Sequence, residues 1–190
     1  MTGDEHRLAI DIVVPLYNEE QVVAEFHRQL MDVVTPLRRE CDVRICYVND
    51  GSVDHTGAEL EKLAAGDAAV TILELSRTFG HQAALTAGLD RAEGDVAVTL
   101  DGDGQHPPEL IPDMIALYRA GYEVVLTQRV APDQPRFKRW TSTGFYRVLS
   151  AIGDMPIIAG LADYRLVFWP VLEALREMWE HHRFLRNMIA

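Results

Sequence analysis

The sequence predicts an α/β protein built on a mostly parallel sheet, and three observations predict it. Short apolar runs rich in Val, Ile and Leu alternate with segments of helical periodicity, the pattern of stacked βαβ units. Polar and acidic residues gather directly after those runs, where open α/β sheets bind ligands. The composition, 48% hydrophobic and 25% charged over 190 residues, is that of one large globular domain over residues 1–190, without repeat or linker.

The elements follow in order. Leu8 to Leu16 reads as a first strand, nearly all apolar, as a strand buried on both faces requires. Val22 to Leu37 carries apolar residues at helical spacing, and Val43 to Val48 returns to a strand. The next helix, Gly57 to Ala65, is introduced by Thr56 with Glu59 three residues on, the spacing of a capping box. A third strand at Val70 to Leu75, a helix at Gln82 to Ala92 and a fourth strand at Val96 to Leu100 repeat the alternation. Pro108 sits where a first helical turn tolerates proline, ahead of a helix at Leu110 to Arg119 and a fifth strand at Val124 to Thr127. Beyond it we expect a basic helix from Lys138 to Ile152, a loop from Met155 to Leu161, a strand at Tyr164 to Phe168 and a helix from Pro170. The count is six or seven strands.

Charge and cysteine usage exclude several classes. The net charge of −11 argues against a nucleic-acid partner, which is met by an excess of Lys and Arg. That charge is uneven: residues 1–115 carry 8 Lys/Arg against 22 Asp/Glu, and residues 116–190 carry 10 against 7. An acidic half suits a cation and a mildly basic half suits phosphate. Cys41 and Cys46 lie too close together, without a second pair, to suggest a zinc site or a disulfide framework. The N-terminal segment has acidic residues where a signal peptide has basic ones. The longest apolar run, Leu166 to Leu172, contains Pro170 and falls far short of the ~20 residues that span a bilayer.

The chemistry gathers after the strands. Asp101, Asp103 and Gln105 offer oxygens on alternate residues leaving the fourth strand, so they can converge on one hard cation, Mg²⁺ or Mn²⁺, and leave room for water and diphosphate oxygens. The same Asp-Gly string is also ordinary turn chemistry. Asp50, with Gly51 and Ser52, can accept from a base or ribose or can cap the next helix, and Glu19 is also a first-turn acid favoured by the helix dipole. Arg77 can touch a phosphate or brace the acidic loops, while His81 reads as a helix-terminus residue rather than a metal ligand. In the basic segment, helical spacing puts Lys138 and Ser142 on one face, within reach of one phosphate group. Arg129, Arg136, Arg139 and Arg147 are interleaved there with Phe137, Trp140, Phe145 and Tyr146, a mixture that also suits a solvated helix or a lipid surface. His181 and His182, being adjacent, point apart on a helix, whereas Arg183 and Arg186 share a face.

Together VVPLYNEE from Val13, VNDGS from Val48, RTFGHQAALTAGLDRAEGD from Arg77 and DGDGQHPPELIP from Asp101 resemble the family 2 glycosyltransferases of the GT-A fold. The branch that they resemble is the polyprenyl-phosphate one, similar to dolichyl-phosphate mannose synthases and bactoprenol glucosyltransferases. The matches run in order over nearly the whole chain. The resemblance implies transfer of a hexose, with inversion, from a UDP-sugar or GDP-mannose to a polyprenyl or dolichyl phosphate, with a divalent cation at Asp101, Asp103 and Gln105. It implies that Asp101 and Asp103 are the catalytic pair. Pro15, Tyr17, Glu19, Asp50, Arg77 and Asp101 would meet the donor. Arg129, Lys138, Arg139, Ser142, Arg165 and Arg183 would meet the acceptor phosphate. Residues 1–128 would then form the nucleotide-sugar and metal half and residues 129–190 the acceptor side. The expected location is cytoplasmic, at the inner membrane face, with peripheral contact or a membrane partner.

No general base is expected, because a phosphate monoester is already anionic near neutral pH. Asn49, Gly104, His106 and Trp169 depart from the family's commoner Asp, Leu, Asp and Arg. Family members usually continue past the segment matched by Arg186, so the resemblance also implies a C-terminally short domain with an incomplete acceptor side. Two other classes compete: a nucleotide-binding GT-A module without catalysis, and an aspartate-based phosphatase using Asp101 and Asp103. The second wants its carboxylates after the first strand and a later lysine, and the only lysine after this motif is Lys138.

Overall fold

A computed structural model describes residues 7–128 and 161–177. The expected acceptor-side residues Arg129, Lys138, Arg139, Ser142 and Arg183, and the basic helix from Lys138, lie outside them.

Six strands, β1 (Leu8–Leu16), β2 (Cys41–Asn49), β3 (Val70–Glu74), β4 (Val96–Thr99), β5 (Val124–Gln128) and β6 (Leu161–Phe168), form one sheet in the order β3-β2-β1-β4-β6-β5. The first four are mutually parallel, and β6 runs antiparallel to both β4 and β5. The helices are α1 (Val23–Leu37), α2 (Thr56–Gly66), α3 (His81–Asp90), α4 (Ile111–Arg119) and α5 (Trp169–Glu177), with a short 3₁₀ turn at Pro108–Leu110. The α/β class and the order of elements agree with the sequence reading. From β1 the chain steps outward to β2 and β3, then crosses back to place β4 on the other side of β1. The carboxyl ends of β1 and β4 therefore flank the switch point where such sheets hold ligands.

Alternation along β1 explains its nearly continuous apolar run. Ile10, Ile12, Val14 and Leu16 join a core with Phe26, Leu30 and Val34 of α1 and Ile111, Met114 and Ile115 of α4. Val13 faces the other way, into a second core with Val48, Ala97, Val167, α3 residues Ala84, Leu85 and Leu89, and Leu172 of α5. With both faces covered, either side of the pleat must be apolar. Asp11 is the exception, and it is fully served: it accepts from Arg44 Nε and Nη2 at 2.7 and 2.9 Å and from the backbone N–H groups of Glu93 and Gly94 at 2.6 and 2.7 Å. Such pairing is what makes a buried carboxylate tolerable.

One local expectation is corrected. Thr56 is not an N-cap in a capping box with Glu59; it is the first residue of α2, and the N-cap position falls to His55, whose own side chain makes no capping hydrogen bond. Its buried hydroxyl donates to Asp54 Oδ1 at 2.6 Å and accepts from the Glu19 backbone N–H at 2.8 Å, joining α2 to the loop after β1. Glu59 instead pairs with Lys62 at 2.6 Å. A competing local acceptor, Asp54, takes the Thr56 N–H at 3.0 Å.

Candidate functional site

A cleft of about 290 Å³ opens at the carboxyl ends of β1, β2 and β4. Pro15, Tyr17, Glu19, Asp50, Asp101 and Asp103 all line it, so six of the expected donor and metal residues converge. Arg77 and Gln105 do not line it: the Arg77 guanidinium lies 4.5 Å over the Phe79 ring, and Gln105 is exposed, its backbone N–H donating to Asp103 Oδ1 at 2.9 Å. Arg165 is buried at 1% exposure in β6, in register with Thr99 of β4 and Leu126 of β5, and also stands outside the cleft lining.

The loop after β2 is held in place by glycine and by Asp50. Gly51 has φ +65°, and any Cβ there would collide with the backbone of Arg77 and Thr78, so the two loops touch main chain to main chain. Asp50, 3% exposed, accepts from Phe79 N–H at 2.8 Å, from Gly80 N–H at 2.9 Å and from the Thr78 hydroxyl at 2.9 Å. The same carboxylate thus lines the cleft and fixes the start of α3. Asn49 beside it faces away from the cleft and donates to both carboxylate oxygens of Glu74, at 3.1 and 2.9 Å.

At the β4 end, Gly102 separates the two aspartates at a point where a Cβ would overlap the Leu16 side chain and press tightly against Val14. Asp101 is gripped by two histidines. Its backbone N–H donates to His106 Nδ1 at 3.0 Å, and its Oδ1 is 2.7 Å from His81 Nε2. The His106 ring is buried and lies against Tyr164, 5.5 Å between centroids, whose hydroxyl donates to the Pro107 carbonyl at 3.0 Å. His81 lines the cleft as the first residue of α3. Sequence reasoning missed this contact, because no spacing signal joins residues that only the α3–β4 juxtaposition brings together.

The cleft is electrostatically biased toward cations. Glu19 has its carboxyl pushed above the usual glutamate range, first by burial and then by the charges of Asp103 and Asp54. Among the described residues no three His, Cys, Asp or Glu side chains close on one point as a self-contained metal site. Asp101 and Asp103 instead offer two carboxylates in an open cleft. That donor set fits a hard divalent cation taking its remaining oxygens from diphosphate and water. No helix among the described residues is long and apolar enough to cross a membrane.

Comparison with known proteins gives a consistent lineage. The family model for glycosyl transferase family 2 matches residues 11–179. An uncharacterized glycosyltransferase, YkcC, of Bacillus subtilis (strain 168) is 38% identical over 94% of this chain and 55% of its own length. A prophage bactoprenol glucosyl transferase homolog of Escherichia coli (strain K12) is 34% identical over 96% of this chain and 60% of its own. The chain therefore spans little more than half the length of these curated relatives. In fold it is similar to the mannosyltransferase PcManGT from Pyrobaculum calidifontis, solved with GDP-Man and Mn²⁺, at a TM-score of 0.61 and 22% identity over 90% of this chain and 47% of that one. It is also similar to S. aureus TarS 1-349 in complex with UDP-GlcNAc, at a TM-score of 0.63 and 16% identity over 96% and 53%. The fold is GT-A, and the chain belongs to glycosyl transferase family 2.

Proposed function

We propose that this chain carries the donor site of an inverting hexosyltransferase that moves a sugar from a nucleotide diphosphate to a polyprenyl phosphate at the cytoplasmic membrane face. The observation that carries the donor side is the convergence of Asp50, Glu19, Asp101 and Asp103 on one cleft at the switch point. The acceptor class rests on the relatives named bactoprenol glucosyl transferases, 33% identical over 96% of this chain. Residues 1–128 form the nucleotide-sugar half in this reading, and residues 129–190, with Arg129, Lys138, Arg139, Ser142 and Arg183, contribute to the acceptor side.

The cleft can order the donor along its length. Strands lie about 4.8 Å apart, so β4 and β2, on either side of β1, are separated by about 10 Å. A diphosphate beside Asp101 and Asp103 leaves its nucleoside reaching toward Tyr17 and Asp50. Tyr17 offers a half-exposed ring on which a base can stack. Asp50 already accepts three hydrogen bonds, which leaves one of about four lone-pair positions. Uracil presents one N–H at its pairing edge, whereas guanine presents two adjacent donor groups that want both oxygens. A uridine donor therefore fits better.

Mg²⁺ or Mn²⁺ held by Asp101 and Asp103 would neutralise charge on the departing diphosphate. The acceptor phosphate, already anionic, supplies the nucleophilic oxygen; the new bond forms at the anomeric carbon as the bond to the diphosphate oxygen breaks and its electron pair leaves with the nucleotide. The chain's own residues orient these groups and remove no proton.

Calorimetric titration with UDP and GDP, each with Mn²⁺ and again with excess EDTA, tests the reading. UDP binding that needs Mn²⁺ is the expected outcome, and Asp103→Asn should abolish the Mn²⁺ dependence. Transfer from UDP-hexose to undecaprenyl phosphate in detergent should fall about 100-fold or more in the same variant, the scale of losing a transition-state electrostatic contact. Binding without any transfer would favour the nucleotide-binding module instead.

A further inference from the structure

We propose that Thr78 sets the base preference of the donor site: its hydroxyl fills one acceptor position on Asp50, so that the cleft takes a base with a single N–H at its pairing edge and rejects guanine. The inference rests on the reading of Asp50 as the nucleoside contact and deepens it, from the group that meets the base to the residue that chooses between bases.

The two oxygens of Asp50 are unequally engaged. Oδ2 accepts the Thr78 hydroxyl and the Gly80 N–H, both at 2.9 Å, which fills its two lone-pair positions. Oδ1 accepts the Phe79 N–H at 2.8 Å and keeps one position for a ligand. Two of these three donors are main-chain groups at the start of α3, which almost any residue there would supply. The Thr78 hydroxyl is the donor that side-chain identity decides. Thr78 lines the cleft together with Asp50. Its main chain is held as well, since a Cβ on Gly51 would fall 2.6 Å from the Thr78 nitrogen, and only a glycine lets the two loops lie that close.

This arrangement separates bases by the number of donors that they present. Uracil offers one N–H, which the open position on Oδ1 can take. Guanine offers its N1–H and its 2-amino group side by side, a pair that wants both oxygens of a carboxylate. With Oδ2 filled, the second donor loses its water and gains no acceptor, and an orphaned polar group is costly. Hypoxanthine, the same ring system without the 2-amino group, isolates that second donor at constant size.

Calorimetric titration with inosine diphosphate, GDP and UDP, each with Mn²⁺, tests this on the wild-type chain, Thr78→Ala and Thr78→Ser. The wild type should hold inosine diphosphate about tenfold or more tighter than GDP, the scale of one orphaned donor, a comparison that needs no variant to fold. Thr78→Ala frees the position on Oδ2 and should bring that ratio to about threefold or less, whereas Thr78→Ser keeps the hydroxyl and should keep the preference. A hydroxyl that served only to hold the loop would weaken both purines together and leave their ratio unmoved. A wild type that binds UDP but does not prefer inosine diphosphate to GDP, whether it holds both purines or neither, would overturn the role of Thr78 and leave the donor site standing. An unchanged ratio in a folded Thr78→Ala chain would do the same. A folded chain that binds none of the three nucleotides with Mn²⁺ removes the donor-site reading and this inference with it.

Discussion

Asn49 and Asp50 sit side by side at the end of β2 and do different work. The family resemblance leads one to expect an aspartate at the first position. Here Asn49 is buried at 3% exposure with its amide donating to both oxygens of Glu74, so a carboxylate at this point would face another carboxylate with no donor between them. The asparagine is therefore explained by its neighbour on β3 rather than by a ligand. We expect Asn49→Asp to destabilise the chain by about 1–3 kcal/mol, the cost of a buried polar group losing its partner. Glu74→Gln in the same chain should recover most of that, since its amide can donate to the new carboxylate. Denaturant unfolding of both single variants and the double variant measures the coupling; additive single effects would refute it.

At the scale of elements, what the sequence reveals divides by range. β1 and β4 are legible because strands covered on both faces are almost wholly apolar, β2 because exposed Asp42 and Arg44 alternate with buried Cys41, Val43 and Ile45, and α1 because Phe26, Leu30 and Val34 recur on one face. The cleft is legible as well, since position after a strand at the switch point follows from topology alone. Contacts across elements are not. Thr56 matches a capping box in spacing, yet Asp54 beside it and Glu19 from another loop take its hydroxyl. The His81 to Asp101 contact has no spacing signature for the same reason. The Thr56 arrangement yields a contrast that helix capping does not. Thr56→Val should cost about 1–2 kcal/mol by orphaning the Glu19 N–H, whereas Glu59→Ala, losing only an i,i+3 pair to Lys62, should stay within about 0.5 kcal/mol. Similar losses from both variants would restore the capping box.

The whole molecule carries its net charge of −11 unevenly, and the cleft is where that matters most. Burial and the charges of Asp103 and Asp54 raise the Glu19 carboxyl above its ordinary range in the folded chain. A folded-state pKa above the unfolded one means that the folded chain binds the proton more tightly. Glu19 therefore favours folding most below the ordinary glutamate pKa of about 4.3, and that contribution is lost as pH rises through the raised folded value. At neutral pH the ionised Glu19 opposes folding of the metal-free chain. Glu19→Gln keeps the size and the backbone N–H to Thr56 while removing the charge, so it should raise the melting temperature at pH 7. The gain should shrink as pH falls and vanish below about pH 4, where the wild-type carboxyl is protonated in both states. Saturating Mn²⁺ should reduce the gain at pH 7, because a cation between Asp101 and Asp103 offsets the repulsion that raises Glu19. Melting curves across pH, with Mn²⁺ and with EDTA, decide it. A gain independent of both would assign the effect to side-chain packing and leave the crowded carboxylates of the cleft without an energetic role.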